Sequence, residues 1–305
     1  MLIAVDTGNY AIKTPNFNFL SGLSEHTVKP PLASDIIEYN GKLWTLSGQR
    51  ISYMRDKTRD ERFFILTLFA IAKELKQAGE TAPFVQVDLA VGLPPEHYGI
   101  LKSKFSDYFK RPGTTNFVYN EVPVSISVRN VFVYPQAYAA IIPQSRMLMD
   151  TPRIFIIDIG GYTTDVLLLR NGKPDLQFCR SLEIGVITMN NDIIGKVGAL
   201  HDMKIEDDHI SAILQGQETI LPENVTETIR NATQHHANNI LDKLRELQVD
   251  LRSNPAIFIG GGAMLFKPFL ESSTLVVKSE FILDPKANAI GYEMLASAQL
   301  KHSSL

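Results

Sequence analysis

Ile154-Phe155-Ile156-Ile157-Asp158-Ile159-Gly160-Gly161-Tyr162-Thr163-Thr164-Asp165-Val166-Leu167-Leu168-Leu169 reads as an apolar strand, an aspartate, a glycine turn and a second apolar strand. The turn is too short to hold a helix, and β-branched residues flank it, so the stretch is a β-hairpin by pattern. The same grammar stands at the start of the chain in Leu2-Ile3-Ala4-Val5-Asp6-Thr7-Gly8-Asn9-Tyr10-Ala11-Ile12-Lys13. The copies begin about 150 residues apart, which predicts two related halves.

Outward from these hairpins, strand and helix patterns alternate. Phe64, Leu68, Ile71 and Leu75 recur at helical spacing within 61–77, and Phe63, Ile65 and Phe69 widen the stripe into a mostly buried helix. Strands are expected at 85–93, 122–126 and 128–133, and a short helix at 136–142. In the second half 176–181 reads as a strand and 187–194 as a helix. Pro222 opens a long helix whose seam is Val225, Ile229, Ala232, His236, Ile240, Leu244 and Leu247. Ala256-Ile257-Phe258-Ile259 is a strand running into Gly260-Gly261-Gly262-Ala263, and 288–300 is helical. An α/β class follows. Two domains are expected, 1–150 with a small insertion near 30–60 and 151–305 with one near 195–222, the last helix returning to the first domain.

Asp6 and Asp158 close equivalent strands. A carboxylate at the end of a buried strand is costly unless a cation or a donor meets it. Two at equivalent places point to a shared cation, and hard oxygen ligands suit Mg²⁺, which keeps several waters and a phosphate in its shell. Gly8, Gly160 and Gly161 let backbone N–H groups approach phosphate oxygens. Thr7, Asn9, Tyr10, Tyr162 and Thr163 are placed to add donors around the same anion. Lys13 sits where the second strand returns, so its ammonium can reach a phosphate. Gly260, Gly261 and Gly262 occupy a strand-to-helix junction, where phosphate or ribose docks on backbone amides. No G-x-G-x-x-G or G-x-x-x-x-G-K-[ST] spacing is present, which excludes a dinucleotide fingerprint and a P-loop.

The bulk properties set limits. The 305 residues are 45% hydrophobic and 21% charged, with a formal net charge of −3 and one cysteine. That balance gives no electrostatic footprint for binding nucleic acid directly. Cys179 allows no intrachain disulfide, reads as a small core residue and fits a reducing compartment. No apolar run approaches the roughly 20 residues that span a bilayer, so no membrane partner is expected and the location read is cytoplasmic. His235 and His236 read as a solvated helix edge, and Glu206-Asp207-Asp208 as surface.

In that order the Asp-x-Gly, Asp-x-Gly-Gly-x-Thr and Gly-Gly-Gly-Ala motifs resemble the phosphate and adenosine motifs of the actin, Hsp70 and sugar-kinase superfamily. Asp88-Leu89-Ala90-Val91-Gly92-Leu93-Pro94, Val133-Tyr134-Pro135-Gln136-Ala137 and Leu182-Glu183-Ile184-Gly185-Val186 are similar to segments of ParM/StbA-type plasmid-segregation proteins. The resemblance implies an actin-like, ribonuclease H-like fold with ATP or GTP and Mg²⁺ in the cleft between two domains. It implies that Asp6 and Asp158 hold the hydrated Mg²⁺, with Asp158 also near the attacking water. Gln136 stands where the family keeps its water-orienting residue. Gly185, Gly261, Gly262 and Met264 would surround ribose and base. Asp284, Asn288 and Gly291 resemble the second connecting segment. The function implied is a bacterial actin-like filament that hydrolyses nucleotide and moves plasmid DNA, with copies of itself and a DNA-binding adaptor as partners. The rival of another class is a sugar or carboxylate kinase, which needs a catalytic carboxylate where Gln136 stands.

Overall fold

A computed structural model describes residues 1–31, 34–143 and 151–302. The chain divides into two compact units, one made of residues 1–144 with 286–305, the other of residues 145–285. The expected boundary at 150–151 adjoins residues 144–150, which lie outside the described residues.

The first unit opens with β1 (Leu2–Thr7), β2 (Ala11–Lys13), β3 (Asn18–Leu20), β4 (Leu23–His26), β5 (Ile36–Tyr39) and β6 (Lys42–Leu46). Then come α1 (Glu61–Gln77), β7 (Phe84–Leu93), α2 (Pro95–Phe109), β8 (Thr115–Tyr119), β9 (Val122–Pro135) and the single turn α3 (Tyr138–Ile141). Its strands form one nine-stranded sheet in the order β3-β2-β1-β7-β9-β8-β5-β6-β4. Helix α1 starts where the Asp60 side chain accepts from the Arg62 N–H, and Phe63 through Ala72 are all buried. Such a helix, apolar nearly all round, belongs in a core rather than at a surface.

The second unit contains β10 (Arg153–Ile159), β11 (Thr164–Arg170), β12 (Lys173–Leu182), α4 (Val186–His201), α5 (Asp207–Leu214), α6 (Glu223–Glu246), β13 (Ala256–Ile259), α7 (Gly261–Glu271) and β14 (Ser279–Phe281). Its sheet runs β12-β11-β10-β13-β14. In both units the first strand pairs antiparallel with the next strand in sequence and parallel with one that arrives after a helix. The repeated hairpin thus lies at the same place in two sheets of the same local order. The final helix, α8 (Ala287–His302), packs in the first unit against α3, β1 and β7.

Several sequence expectations are corrected. Residues 36–46, read as part of an insertion, are two strands of the large sheet. Their turn has Asn40 at φ 52° and Gly41 at φ 72°, the hairpin turn that an Asn-Gly pair favours. The polar stretch after 200 contains α5, whose first turn holds Asp207 and Asp208 near the positive end of the helix dipole. The two strands expected at 122–126 and 128–133 are one strand, bulged opposite Val87 and Asp88. The bulge brings Arg129 and Asn130 onto the buried Asp88 carboxylate, each with a donor within 3.0 Å. Helix α4 runs to His201 rather than stopping at 194. Cys179 is buried. His235 is exposed but His236 is not the solvated residue expected: its ring stacks on Phe266 at 5.7 Å and 14°.

Candidate functional site

In the first unit Asp6 is the penultimate residue of β1, only 2% exposed, in register with Lys13 on β2. Lys13 Nζ stands 3.4 Å from Asp6 Oδ2, and Gln136 Nε2 donates to Asp6 Oδ1 at 3.0 Å. These three side chains come from β1, from its neighbour β2, and from just past β9, which lies on the far side of β7 in the same sheet.

The turn between β1 and β2 is held by its carbonyls. The buried Lys57 ammonium donates to the Thr7 carbonyl, and Ser21 Oγ donates to the Gly8 carbonyl at 2.6 Å. With no cis peptide among the described residues, the N–H of each such peptide points opposite to its anchored carbonyl. The Gly8 and Asn9 amides are thereby aimed away from Lys57 and Ser21. A Cβ on Gly8 would lie 2.7 Å from the Ala11 carbonyl oxygen, so the tight turn requires glycine there. Asn9 Oδ1 accepts from the Met54 N–H at 3.3 Å, leaving its Nδ2 as the donor end, and the Arg50 guanidinium lies over the Tyr10 ring at 4.8 Å. Thr7 is fully buried, and its Oγ1 has no partner among the described residues.

The second unit reaches the same arrangement with backbone alone. The Gly160 N–H donates to the Thr163 carbonyl at 2.8 Å and closes the turn. The first N–H groups of α4, from Val186 and Ile187, donate to the Gly160 and Gly161 carbonyls at 3.1 and 2.7 Å. The amides of Gly161 and Tyr162 therefore point away from α4. Two consecutive amides aimed one way make a concavity for an anion. Gly185 makes the close approach possible, since a Cβ there would meet the Gly161 carbonyl oxygen at 2.5 Å. Its role in the fold is thus to pack on the turn.

Asp158 is the penultimate residue of β10, 8% exposed, in register with Asp165. Thr163 Oγ1 donates to Asp165 Oδ2 at 3.2 Å, so this threonine is bound within its own hairpin. Gly260, at φ 88°, follows β13 and caps α7 beside Asp158, and a Cβ there would lie 2.3 Å from Asp158 Oδ1. Gly262 is confined by Ile159, whereas Gly261 faces open space and Met264 is partly exposed on α7. His236 hydrogen-bonds the Gly185 backbone, while its Nε2 is buried without a partner among the described residues. Burial holds its pKa below the usual imidazole range, outweighing the opposing effects of Asp192 and that hydrogen bond.

Beyond Gln136 the chain makes a sharp turn. Ala137 has φ 63° and ψ −53°, and the Tyr138 N–H donates back to the Gln136 carbonyl at 2.6 Å. This is the rare positive-φ γ-turn, which costs an alanine on the order of 1–3 kcal/mol. The Ala137 N–H donates to Asn288 Oδ1 on α8 at 3.0 Å. Gly291, one turn later, lets α8 seat on α3: a Cβ there would fall 1.9 Å from the Ala139 carbonyl oxygen. Asp284 is exposed, before α8 begins.

Among the described residues, no three His, Cys, Asp or Glu side chains converge as a metal cage. The buried carboxylates, Asp6 in the first hairpin and Asp158 beside Asp165 in the second, are hard oxygen donors of the kind that suits a cation keeping most of its waters. Sequence reasoning missed Ser21, Arg50, Lys57 and the Asn288 contact, because each comes from a segment remote in sequence from the turn it serves.

Residues 4–138 match the family of actin-like proteins' N-terminal domain, and residues 156–272 match the C-terminal domain of archaeal actin homologue MreB-like proteins. No curated protein sequence is similar enough to count as a relative. Among solved structures, the archaeal actin homologue Ta0583 superposes with a TM-score of 0.79 at 18% identity, covering 97% of this chain and 99% of that one. A ParM from Clostridium botulinum, solved as a 15-stranded filament, gives 0.76 at 19% identity, with 97% and 99% covered. Bacillus thuringiensis ParM, solved with ATP, gives 0.67 at 14% identity, with 98% and 99% covered. At these identities the likeness establishes the fold.

Proposed function

Since both halves match actin-like families, this chain is an actin-like protein, and we propose that it is a nucleotide-hydrolysing, filament-forming one that moves plasmid DNA. The observation that carries the reading is the duplicated hairpin, each copy with a buried aspartate near the end of its first strand beside two amides aimed away from their anchored carbonyls. That a ParM was solved as a filament and another with ATP supports the same reading.

In this reading, Mg²⁺ and ATP or GTP, when bound, supply the phosphorus centre and the cation that draws charge from it. Asp6 and Asp158 would hold the hydrated cation. The Gly8, Asn9, Gly161 and Tyr162 amides donate to phosphate oxygens, and Lys13 offsets their charge. Gln136 gives Nε2 to Asp6, so its Oε1 is the end that accepts from a water. An amide cannot take up that proton at neutral pH. Catalysis then rests on positioning and electrostatics, as phosphoryl transfer permits. The Gly260 region and Met264 would border ribose and base. DNA would be reached through a separate adaptor, as the −3 charge suggests.

Light scattering and electron microscopy of the purified chain after adding Mg-ATP or Mg-GTP test this reading. Filaments that appear with nucleotide and shrink as it is hydrolysed are expected. A nucleotide-binding chain that stays monomeric over a wide concentration range, and phosphorylates a small acceptor, would replace the filament with the kinase.

A further inference from the structure

We propose that Asn288, on the last helix, is a positioning residue for Gln136, acting through the strained turn at Ala137. The proposal rests on the reading of Gln136 as the residue that orients the attacking water.

The peptide plane joining Gln136 to Ala137 is held at both polar ends. Its carbonyl accepts from the Tyr138 N–H at 2.6 Å, and its N–H donates to Asn288 Oδ1 at 3.0 Å. On the other side, the Gln136 N–H donates to the Leu93 carbonyl at 2.8 Å, closing the β7–β9 ladder. With both flanking peptides fixed, the Cα–Cβ direction of Gln136 is fixed as well, and the side chain reaches Asp6 Oδ1 at 3.0 Å.

The holding is needed because the turn is not what the residue prefers. An alanine at φ 63° persists only where its surroundings over-determine it. Ala137 is fully buried and Asn288 is 9% exposed, so without the asparagine the Ala137 N–H would lack a partner and water would not replace it. The turn would then relax toward negative φ and swing Gln136 off Asp6. Asn288 itself is held in place, since the Gly291 Cα of the same helix packs directly on the Ala139 carbonyl. The contact spans 151 residues of sequence, so α8 sets the geometry of a group at the end of β9.

The test compares Gln136→Ala, Asn288→Ala, Asn288→Asp and the double variant Gln136→Ala/Asn288→Ala in the full chain. Steady-state Mg-ATP hydrolysis, fluorescent ATP-analogue binding and melting temperature are read for each. Asn288→Ala is expected to lower kcat by about tenfold to a hundredfold, while analogue affinity changes by less than about threefold. Asn288→Asp keeps the acceptor oxygen and is expected to restore kcat to within about threefold of wild type. In the Gln136→Ala background, Asn288→Ala is expected to cost no further turnover, because the two act as one unit. Asn288→Ala that lowers only the melting temperature, or a loss that adds to that of Gln136→Ala, overturns the proposal and leaves the role of Gln136 standing. Full turnover in Gln136→Ala overturns that role and this proposal with it. Should Asn288→Ala not fold, hydrogen exchange at the Ala137 amide of the wild-type chain decides: protection supports the bond, and exchange at a loop's rate overturns it.

Discussion

Gln136 Nε2 donates to Asp6 Oδ1 at 3.0 Å across 130 residues of sequence, joining the end of β9 to the end of β1. Asp6 also has Lys13 Nζ at 3.4 Å, so a glutamine and an ammonium share one buried carboxylate. Each neighbour has a separable consequence.

Gln136→Ala removes the amide that can hold a water while leaving Asp6 and the turn amides in place. Hydrolysis is expected to fall by about tenfold or more, with nucleotide affinity changed by less than about threefold. Single-turnover hydrolysis beside equilibrium binding checks this. Lost affinity with intact turnover would remove Gln136 from the water's path.

Lys57→Met keeps the length of a buried side chain but frees the Thr7 carbonyl. The Gly8 amide then loses its fixed direction, and nucleotide affinity is expected to drop by about tenfold, or about 1.4 kcal/mol. Titration calorimetry with Mg-ATP measures it. Unchanged affinity would mean that the lysine only fills the core beneath the hairpin.

The three glycines after β13 are expected to separate. Gly260→Ala puts a Cβ 2.3 Å from Asp158 Oδ1 at a φ that alanine resists, and should cost about 1–3 kcal/mol and displace the carboxylate. Gly261→Ala meets open space and should leave melting temperature within about a degree or two of wild type. Thermal melts and hydrolysis of both variants test the contrast.

Acid should weaken the second unit through His236. Burial lowers its folded pKa below the value of the unfolded chain, so the unfolded state binds more protons between the two. Stability is therefore complete above about pH 6.5 and declines as pH falls through and below that value. His236→Gln removes the titrating group and should flatten the fall in melting temperature between pH 7.5 and about 5.5. Parallel slopes for wild type and variant would assign the acid response to other groups.

The hairpins were legible because their signal is local: β-branched runs, an aspartate and a glycine turn within about sixteen residues. Helix α1 was legible for the same reason, from spacing alone. Strands β5 and β6 carried a signal that composition obscured, since Asn40-Gly41 lies in a polar stretch although alternating apolar residues flank it. Lys57 and Asn288 were not legible as contacts. They act on backbone carbonyl or amide groups 50 and 151 residues away, and a backbone acceptor leaves no mark in the sequence of its own segment. Asn288 was named only through a resemblance, with no partner. His236 was assigned to a helix seam by spacing and to solvent by its polarity, and the Phe266 ring decides for the seam.

The proposed function requires both hairpins for the binding of Mg²⁺ and nucleotide. Titration calorimetry of Mg-ATP into wild type, Asp6→Asn and Asp158→Asn, each repeated with EDTA in place of Mg²⁺, tests it most directly. One nucleotide per chain is expected, with an Mg²⁺-dependent gain in affinity that either substitution abolishes. An Mg²⁺ effect that survives both substitutions, or two nucleotides per chain, would contradict it.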